Sequence, residues 1–542
     1  MKKSTFWGEE ITYTDSTKEV LKKTKAPKSK AIVKKDFAKI AKSLPLYEKI
    51  RIVVEEVYRI LGKFKDDTVT IRDRAQLHDY ISKAIDNGVI AVDTETNNSL
   101  DAITCKIMGL CIYTPGMKNA YVPINHTNYE SGKLIPNQLT EQDLHEELER
   151  ILNIKVLFHN AKFDYKVIKC TCGVELPVSW DSMVCARLLD ENEQSASLKW
   201  QYANKIDNTM EKYDIEQLFT GLPYSIFDPE VFALYAATDA YMTYKLYEWQ
   251  VARIKSMEDV YRLYRDVELP LIIPVAEMEL RGVLFDKEYC DRLLVKYKRL
   301  LAEAEKKMSD ELDTYKDKIA EWRKTPEANY KEKGTKGKEK KSKSEQFCEP
   351  YNLGSATQLA IFLYDILKIP PINKKKPRST DKHTLPEIVD KYGIKLCKYI
   401  LEKNTIDTLM SDFLIKLPKT INSKTGAVHC NLNQVGKEEK GIVTGRFSST
   451  DPNLQQVPSH NREIRMLFMA REEFGEAESS DNVFEIPVYE EVETESGWKY
   501  PEMLSGGEKL RVTRESGVED ILTVMGIKPL TDKKTVLVEC VG

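Results

Sequence analysis

"IAVDTETNNSL", residues 90–100, decides how the first half of this chain folds. Its opening apolar residues read as the end of a buried strand, and Asp93 and Glu95 follow one residue apart. In a strand, residues i and i+2 face the same side. The two carboxylates therefore share one small space, where each raises the other's pKa unless a cation lies between them. Standing alone, such a pair is a polar strand end facing water. It becomes a cation site only when further acids converge on it.

Upstream, "TVTIRDRAQLHDYISKAIDNGVIAVDTET" (68–96) reads strand, amphipathic helix, strand. Downstream, "KIMGLCIYT" and "NAYVPI" give two short strands. "LTEQDLHEELERIL" (139–152) gives a helix capped by Thr140, leading into the strand "KVLFHN". This alternation predicts a three-layer α/β domain over 68–250. Long helical patterns dominate from 251 to about 420, interrupted by a lysine-rich segment, 323–349, that reads as a flexible insertion. Short β segments return after 421.

The chain has 542 residues, 42% of them hydrophobic and 31% charged, with a net charge of −3. No apolar run is long enough to span a membrane, and "MKKSTFWGEE" lacks the apolar stretch of a signal peptide. Both point to the cytoplasm. The ten cysteines form no CxxC pair, and "CTC" at 170–172 lacks the second half of a zinc site. Charge is segregated along the chain. Residues 1–67, a basic leader, carry 17 Lys+Arg against 10 Asp+Glu, and 331–344 hold seven lysines. Residues 471–500 carry ten acids and two bases. Such runs are solvated faces first and phosphate-neutralising surfaces second.

Two further stretches supply acids. "VLFHNAKFDYKVI" (156–168) ends a strand at Asn160 and sets Asp164 at the start of a helix, where an acid also suits the helix dipole. "LYAATDAYMTYKLY" (234–247) puts Tyr235 and Asp239 on one helical face. Each alone reads as ordinary structure. Together, in order, spacing and element type, DxE, NxxxFD and YxxxD resemble the DEDD superfamily of 3′–5′ exonucleases. The resemblance implies a ribonuclease H-like domain with two divalent cations, Mg²⁺ or Mn²⁺. Asp93 would bridge both, Glu95 and Asp239 would complete the catalytic one, and Asp164 would hold the second. Glu95 would also touch the terminal 3′-hydroxyl. Tyr235 would orient the attacking water, and Asn160 would brace the site without binding metal. Leu234 stands where the histidine branch carries its His, which places the chain in the tyrosine branch. Relatives set a leucine six residues after the first Asp; here that residue is Ser99, so the contact to the terminal base passes to Leu100.

The rest of the chain resembles the family A DNA polymerases. "VELPLIIPVAEMELRGVLFD" (267–286) is similar to the entry of their polymerase domain. "NLGSATQLAIFLYDILKI" (352–369), "STDKHTL" (379–385) and "TGRFSSTDPNLQQVPSHNREIRMLFMA" (444–470) resemble the landmarks that follow. By this resemblance Arg446, Asn453 and Gln455 track the minor-groove side of a primer–template, where acceptors are nearly alike for all base pairs. Arg462 and Arg465 meet phosphates. Residues 251–470 are then a mainly helical thumb and the beginning of an α+β palm.

The pattern departs from the family after Phe468. An acidic insertion, 471–535, stands before "TVLVECVG", so 536–542 are expected as a truncated palm strand with an unpaired edge, stopping short of the first polymerase aspartate. No His-Asp-Glu triplet occurs. The expectation is a proofreading 3′–5′ exonuclease joined to the DNA-binding part of a family A polymerase, of phage type, without room for an upstream 5′-nuclease domain. It would act on single-stranded 3′ ends and primer–template DNA in a bacterial host cytoplasm, with a second polypeptide completing palm and fingers. A free-standing ribonuclease D-like exonuclease would share the acids but lack the 444–458 block. A non-catalytic DNA clamp would be expected to have lost at least one of them.

Overall fold

The computed structural model describes Ser4–Phe6, Glu9–Ile11, and residues 45–470 apart from 98, 129–130, 191, 209–218, 220, 333–339 and 435–444. It also describes residue 504 and the strands between 483 and 541. The chain divides into two units, Met1–Leu467 and Phe468–Gly542.

In the first unit, helix α1 (Leu46–Leu61) leads to β1 (Thr68–Thr70), α2 (Arg74–Asn87) and β2 (Val89–Thr96). Asp73 caps α2 by accepting from the Gln76 amide, and Gly88 ends it at φ 66°, a conformation that suits glycine. Strands β3 (Ile107–Tyr113) and β4 (Asn119–Pro123) follow, then α3 (Glu141–Glu149) and β5 (Lys155–Phe158). Thr140 caps α3 in a capping box with Asp143. After β5 come α4 (Ala161–Cys172), β6 (Trp180–Asp181), α5 (Ser182–Leu189), α6 (Leu198–Lys205) and α7 (Pro229–Ile254).

The six strands form one sheet in the order β1-β4-β3-β2-β5-β6. β2 runs antiparallel to β3 and parallel to β5. All seven residues of β3 are buried, so both faces of the sheet are covered. α7 lies along β1 to β4, while α4 packs by β2 and β5. α1 joins this core through Ile50, Val53, Val57 and Leu61, so the end of the basic leader belongs to the α/β domain. The reason is that α1 is amphipathic and its apolar side packs against α7. Most of the leader, 12–44, lies outside the described residues.

Helix α8 (Leu269–Arg281), β7 (Val283–Phe285) and α9 (Lys287–Asp313) open the helical region. There α9 packs against α10 (Lys395–Leu409), beside a second core that includes Trp322, Phe347 and Phe362. The lysine-rich segment is thus not simply an extruded insertion. Ala328 and Phe347, near its two ends, are fully buried, because apolar residues flank the lysines; 333–339 themselves lie outside the described residues. β8 (Ala427–Val428) pairs with β7, and β9 (Asn431–Asn433) with β10 (Ser448–Thr450).

In the second unit, β11 (Val483–Pro487), β12 (Val492–Thr494), β13 (Gly497–Lys499), β14 (Lys509–Thr513), β15 (Glu519–Pro529) and β16 (Thr535–Val541) make one antiparallel sheet. Its order is β11-β16-β15-β14-β12-β13. This corrects the expectation of an unpaired last strand. β16 is interior, bonded to β11 on one side and β15 on the other, because the segment before it folds into strands that take both of its edges.

Candidate active site

β2 sets Asp93 opposite Cys111 and Glu95 opposite Gly109 across the pair with β3. The register slips just after Glu95, an irregularity of the kind that re-aims a strand end. Gly109 is required by packing, since a Cβ there would lie 2.3 Å from the Tyr121 ring. That ring is fully buried, and its hydroxyl donates to the Met108 carbonyl (3.2 Å) and meets His126 Nε2 at 2.7 Å. Across the strand pair from Asp93, the buried Cys111 brings its sulfur into a trio with Asp93 and Glu95 whose ligand atoms all lie within 4.8 Å of one another. Burial pushes the Cys111 thiol well up, and the surrounding acids push the same way.

α4 delivers the next acid. β5 turns into α4 at Asn160, which takes a left-handed conformation, φ 69° and ψ 49°. Buried Asp181 holds that turn: it accepts from the Asn160 (3.3 Å) and Ala161 (2.7 Å) amides, and from Met183 and Val184 at the start of α5. Asp164, in the first turn of α4, accepts from the Thr94 amide at 2.9 Å and the Thr94 hydroxyl at 2.6 Å. Burial drives the Asp164 carboxyl up to about 7, against those two bonds.

α7 supplies the last pair. Asp228 caps it and Pro229 takes its first position. Tyr235 and Asp239 then fall one turn apart, with Tyr235 buried between the Phe219 and Phe232 rings at 4.9 and 5.6 Å. Lys199 of α6 reaches into the same place. Its Nζ donates to Asp239 Oδ2 at 3.0 Å and stands 4.3 Å from the centre of the Tyr235 ring. Asp93 is raised well above the ordinary carboxylate range, first by burial and then by Asp164, Glu95 and Asp239, while Lys199 pulls it down.

The structure therefore brings Asp93, Glu95, Asp164, Tyr235 and Asp239 together from three elements. Among the described residues these acids outnumber the cations that act on Asp93, and such hard oxygen donors fit one or two divalent cations such as Mg²⁺ or Mn²⁺. Asn160 lies at the backbone turn that starts α4, the helix of Asp164. Leu100 lies on a loop and is 88% exposed. Arg446, Asn453, Gln455, Arg462 and Arg465 are all exposed: Arg446 lies in a loop, Asn453 caps the short helical turn Leu454–Gln456 and accepts from the Gln455 amide, and Arg462 and Arg465 bound a second short helical turn. Sequence reading missed Lys199, Thr94, Cys111 and Asp181. Only the DxE pattern hinted at Thr94, as the residue between the acids. The other three enter through contacts made far along the chain.

Set against known proteins, residues 68–249 match the model of a 3′-5′ exonuclease family, and residues 320–481 match DNA polymerase family A. DNA polymerase I of Pseudomonas aeruginosa is 28% identical over 421 residues, covering 74% of this chain and 40% of the relative. That of Bacillus subtilis is 31% identical over 219 residues, covering 40% and 20%. The DNA polymerase of Bacillus phage SP01 is 25% identical over 403 residues, covering 68% and 42%. The chain spans about two fifths of the length of the first-mentioned relative. Among solved structures, the POL domain of Pol1 from M. smegmatis, in complex with DNA primer-template and dNTP, superposes with a TM-score of 0.52 at 19% identity. It covers 74% of this chain and 57% of that one, which speaks for the fold. No helix among the described residues is long and apolar enough to cross a membrane.

Proposed function

We propose, from the match of residues 68–249 to a 3′-5′ exonuclease family and of residues 320–481 to DNA polymerase family A, that this chain removes nucleotides from the 3′ end of DNA as the proofreading part of a polymerase. The observation that carries this reading is the convergence of β2, α4 and α7, which sets Glu95, Asp164 and Asp239 around Asp93. Asp93, Glu95 and Asp239 would hold one divalent cation, and Asp93 with Asp164 a second. Bound there, such ions supply the Lewis acidity that makes water nucleophilic and stabilises a leaving 3′ oxygen. Tyr235 orients the attacking water through its hydroxyl, and Glu95 contacts the terminal 3′-hydroxyl. The two Thr94 bonds hold the Asp164 carboxylate in place.

A buried site of this kind accepts a frayed strand, since unpairing a duplex end costs a few kcal/mol. Single-stranded 3′ ends are therefore the preferred substrate. The exposed Arg446, Asn453, Gln455, Arg462 and Arg465, together with Leu100, form the DNA-contacting set. By the same proposal, the enzyme works in the cytoplasm of a bacterial cell or phage host. The test is degradation of an end-labelled single strand with Mg²⁺ or Mn²⁺ and with chelator. Stepwise loss from the 3′ end that stops in chelator is expected. Cleavage that persists in chelator, or that starts from the 5′ end, would overturn the proposal.

A further inference from the structure

We propose that Lys199 is a tethered counter-ion of the exonuclease site: its ammonium occupies Asp239 when no divalent cation is bound, and competes with such a cation for that carboxylate. The inference rests on the exonuclease reading above and adds to it a residue that sets how tightly the site takes its metal.

Three features carry it. Lys199 is the second residue of α6, and α6 packs against α7, the helix of Tyr235 and Asp239. Its Nζ spans that helical turn, donating to Asp239 Oδ2 at 3.0 Å while standing over the Tyr235 ring at 4.3 Å. The ring face attracts the ammonium, so the cation has a second resting place beside the first. Finally, α7 also packs against β2, the strand of Asp93 and Glu95, so the carboxylate that Lys199 meets belongs to the same group of acids. A lysine is a point charge on a flexible stem, and it can leave one partner without leaving the site.

Occupying Asp239 has two opposed consequences. The ammonium relieves repulsion among the acids in the metal-free protein. It also lowers the negative potential that draws in a divalent cation, and a unit charge in contact with a ligand is worth enough to move a binding constant severalfold. A residue that merely packed α6 on α7 would affect stability and leave metal affinity alone.

The experiment is Mn²⁺ binding to the full chain without DNA, followed by the electron paramagnetic resonance of free Mn²⁺. It compares wild type with Lys199→Met, Lys199→Gln, Lys199→Arg, Asp93→Ala and Asp239→Asn, with melting temperatures measured in chelator and in saturating Mn²⁺. Lys199→Met and Lys199→Gln should bind Mn²⁺ about tenfold more tightly, roughly 1.4 kcal/mol. They should melt lower in chelator and regain that loss with Mn²⁺. Lys199→Arg keeps the charge and should keep wild-type affinity. Unchanged or weaker Mn²⁺ binding in both neutral variants overturns the inference, whatever their melting temperatures. If Asp93→Ala and Asp239→Asn bind Mn²⁺ as the wild type does, the metal reading of the site falls and this inference with it. If those two lose binding while the lysine variants do not change it, only the counter-ion role is refuted.

Discussion

Helix α4 carries charged side chains into two buried places. Asp164 joins Asp93, Glu95 and Asp239. On the opposite helical face, Lys162 and Lys166, four residues apart, both donate to the Glu279 carboxylate of α8, at 2.6 and 2.5 Å. The Leu432 amide also donates to Glu279, at 2.6 Å. Next to them Tyr165 and Lys169 donate to Glu277, each at 2.7 Å. The second cluster gives a buried acid two lysines and a backbone donor, and it ties the exonuclease helix to the region that follows. Among the described residues, the first gathers four acids around fewer cations. Balanced buried charge serves as a clasp, whereas unbalanced charge marks a place prepared for something positive.

The sharpest way to break this contrast is to remove one acid from each cluster. Asp93→Ala should cut 3′ cleavage by at least about 10³-fold, roughly 4 kcal/mol in the barrier. It should leave the melting temperature in chelator unchanged or higher, because a repelling carboxylate has gone. Single-turnover rates and thermal melts check both, and wild-type activity in this variant would end the metal-site reading. Glu279→Gln should do the reverse. It leaves two partly buried lysines short of a counter-ion and should cost roughly 3 kcal/mol of stability. The rate of the folded fraction should stay within a few-fold of wild type. Denaturant titration measures the first and active-fraction kinetics the second; a variant as stable as wild type would show that the clasp holds nothing.

Smaller changes sharpen the contrast. Tyr235→Phe removes one hydroxyl and keeps every carboxylate, so cleavage should fall about tenfold, near 1.4 kcal/mol, with metal affinity unchanged. A loss as large as that of Asp93→Ala would mean that the hydroxyl does more than orient water. The mildest test is pH. Asp93 and Asp164 are raised in the folded chain, Asp164 from 3.8 to about 7. Between those values the folded state keeps protons that the unfolded state has released. Stability of the metal-free protein should therefore fall as pH rises through this window. Melting temperatures in chelator at pH 5 and pH 8 should show that fall in wild type and a flatter response in Asp164→Asn. Equal slopes would contradict it.

The sequence by itself determined the local pieces. Strand alternation placed Asp93 and Glu95 on one face, helical spacing placed Tyr235 beside Asp239, and a Thr cap marked the start of α3. These follow from periods of two and 3.6 residues and from capping chemistry, which act within a few positions. The same local signals failed at the last strand, where "TVLVECV" reads equally well as an edge or an interior. Its place was set by partners at 483–487 and 519–529. Tertiary structure alone decided that Lys199 reaches Asp239, that Cys111 pairs beside Asp93, and that Glu279 clasps α4. Each contact joins residues from 18 to more than 100 positions apart. Such pairs leave no periodic trace in the sequence, because the burial that fixes them exists only once the sheet and its helices have packed.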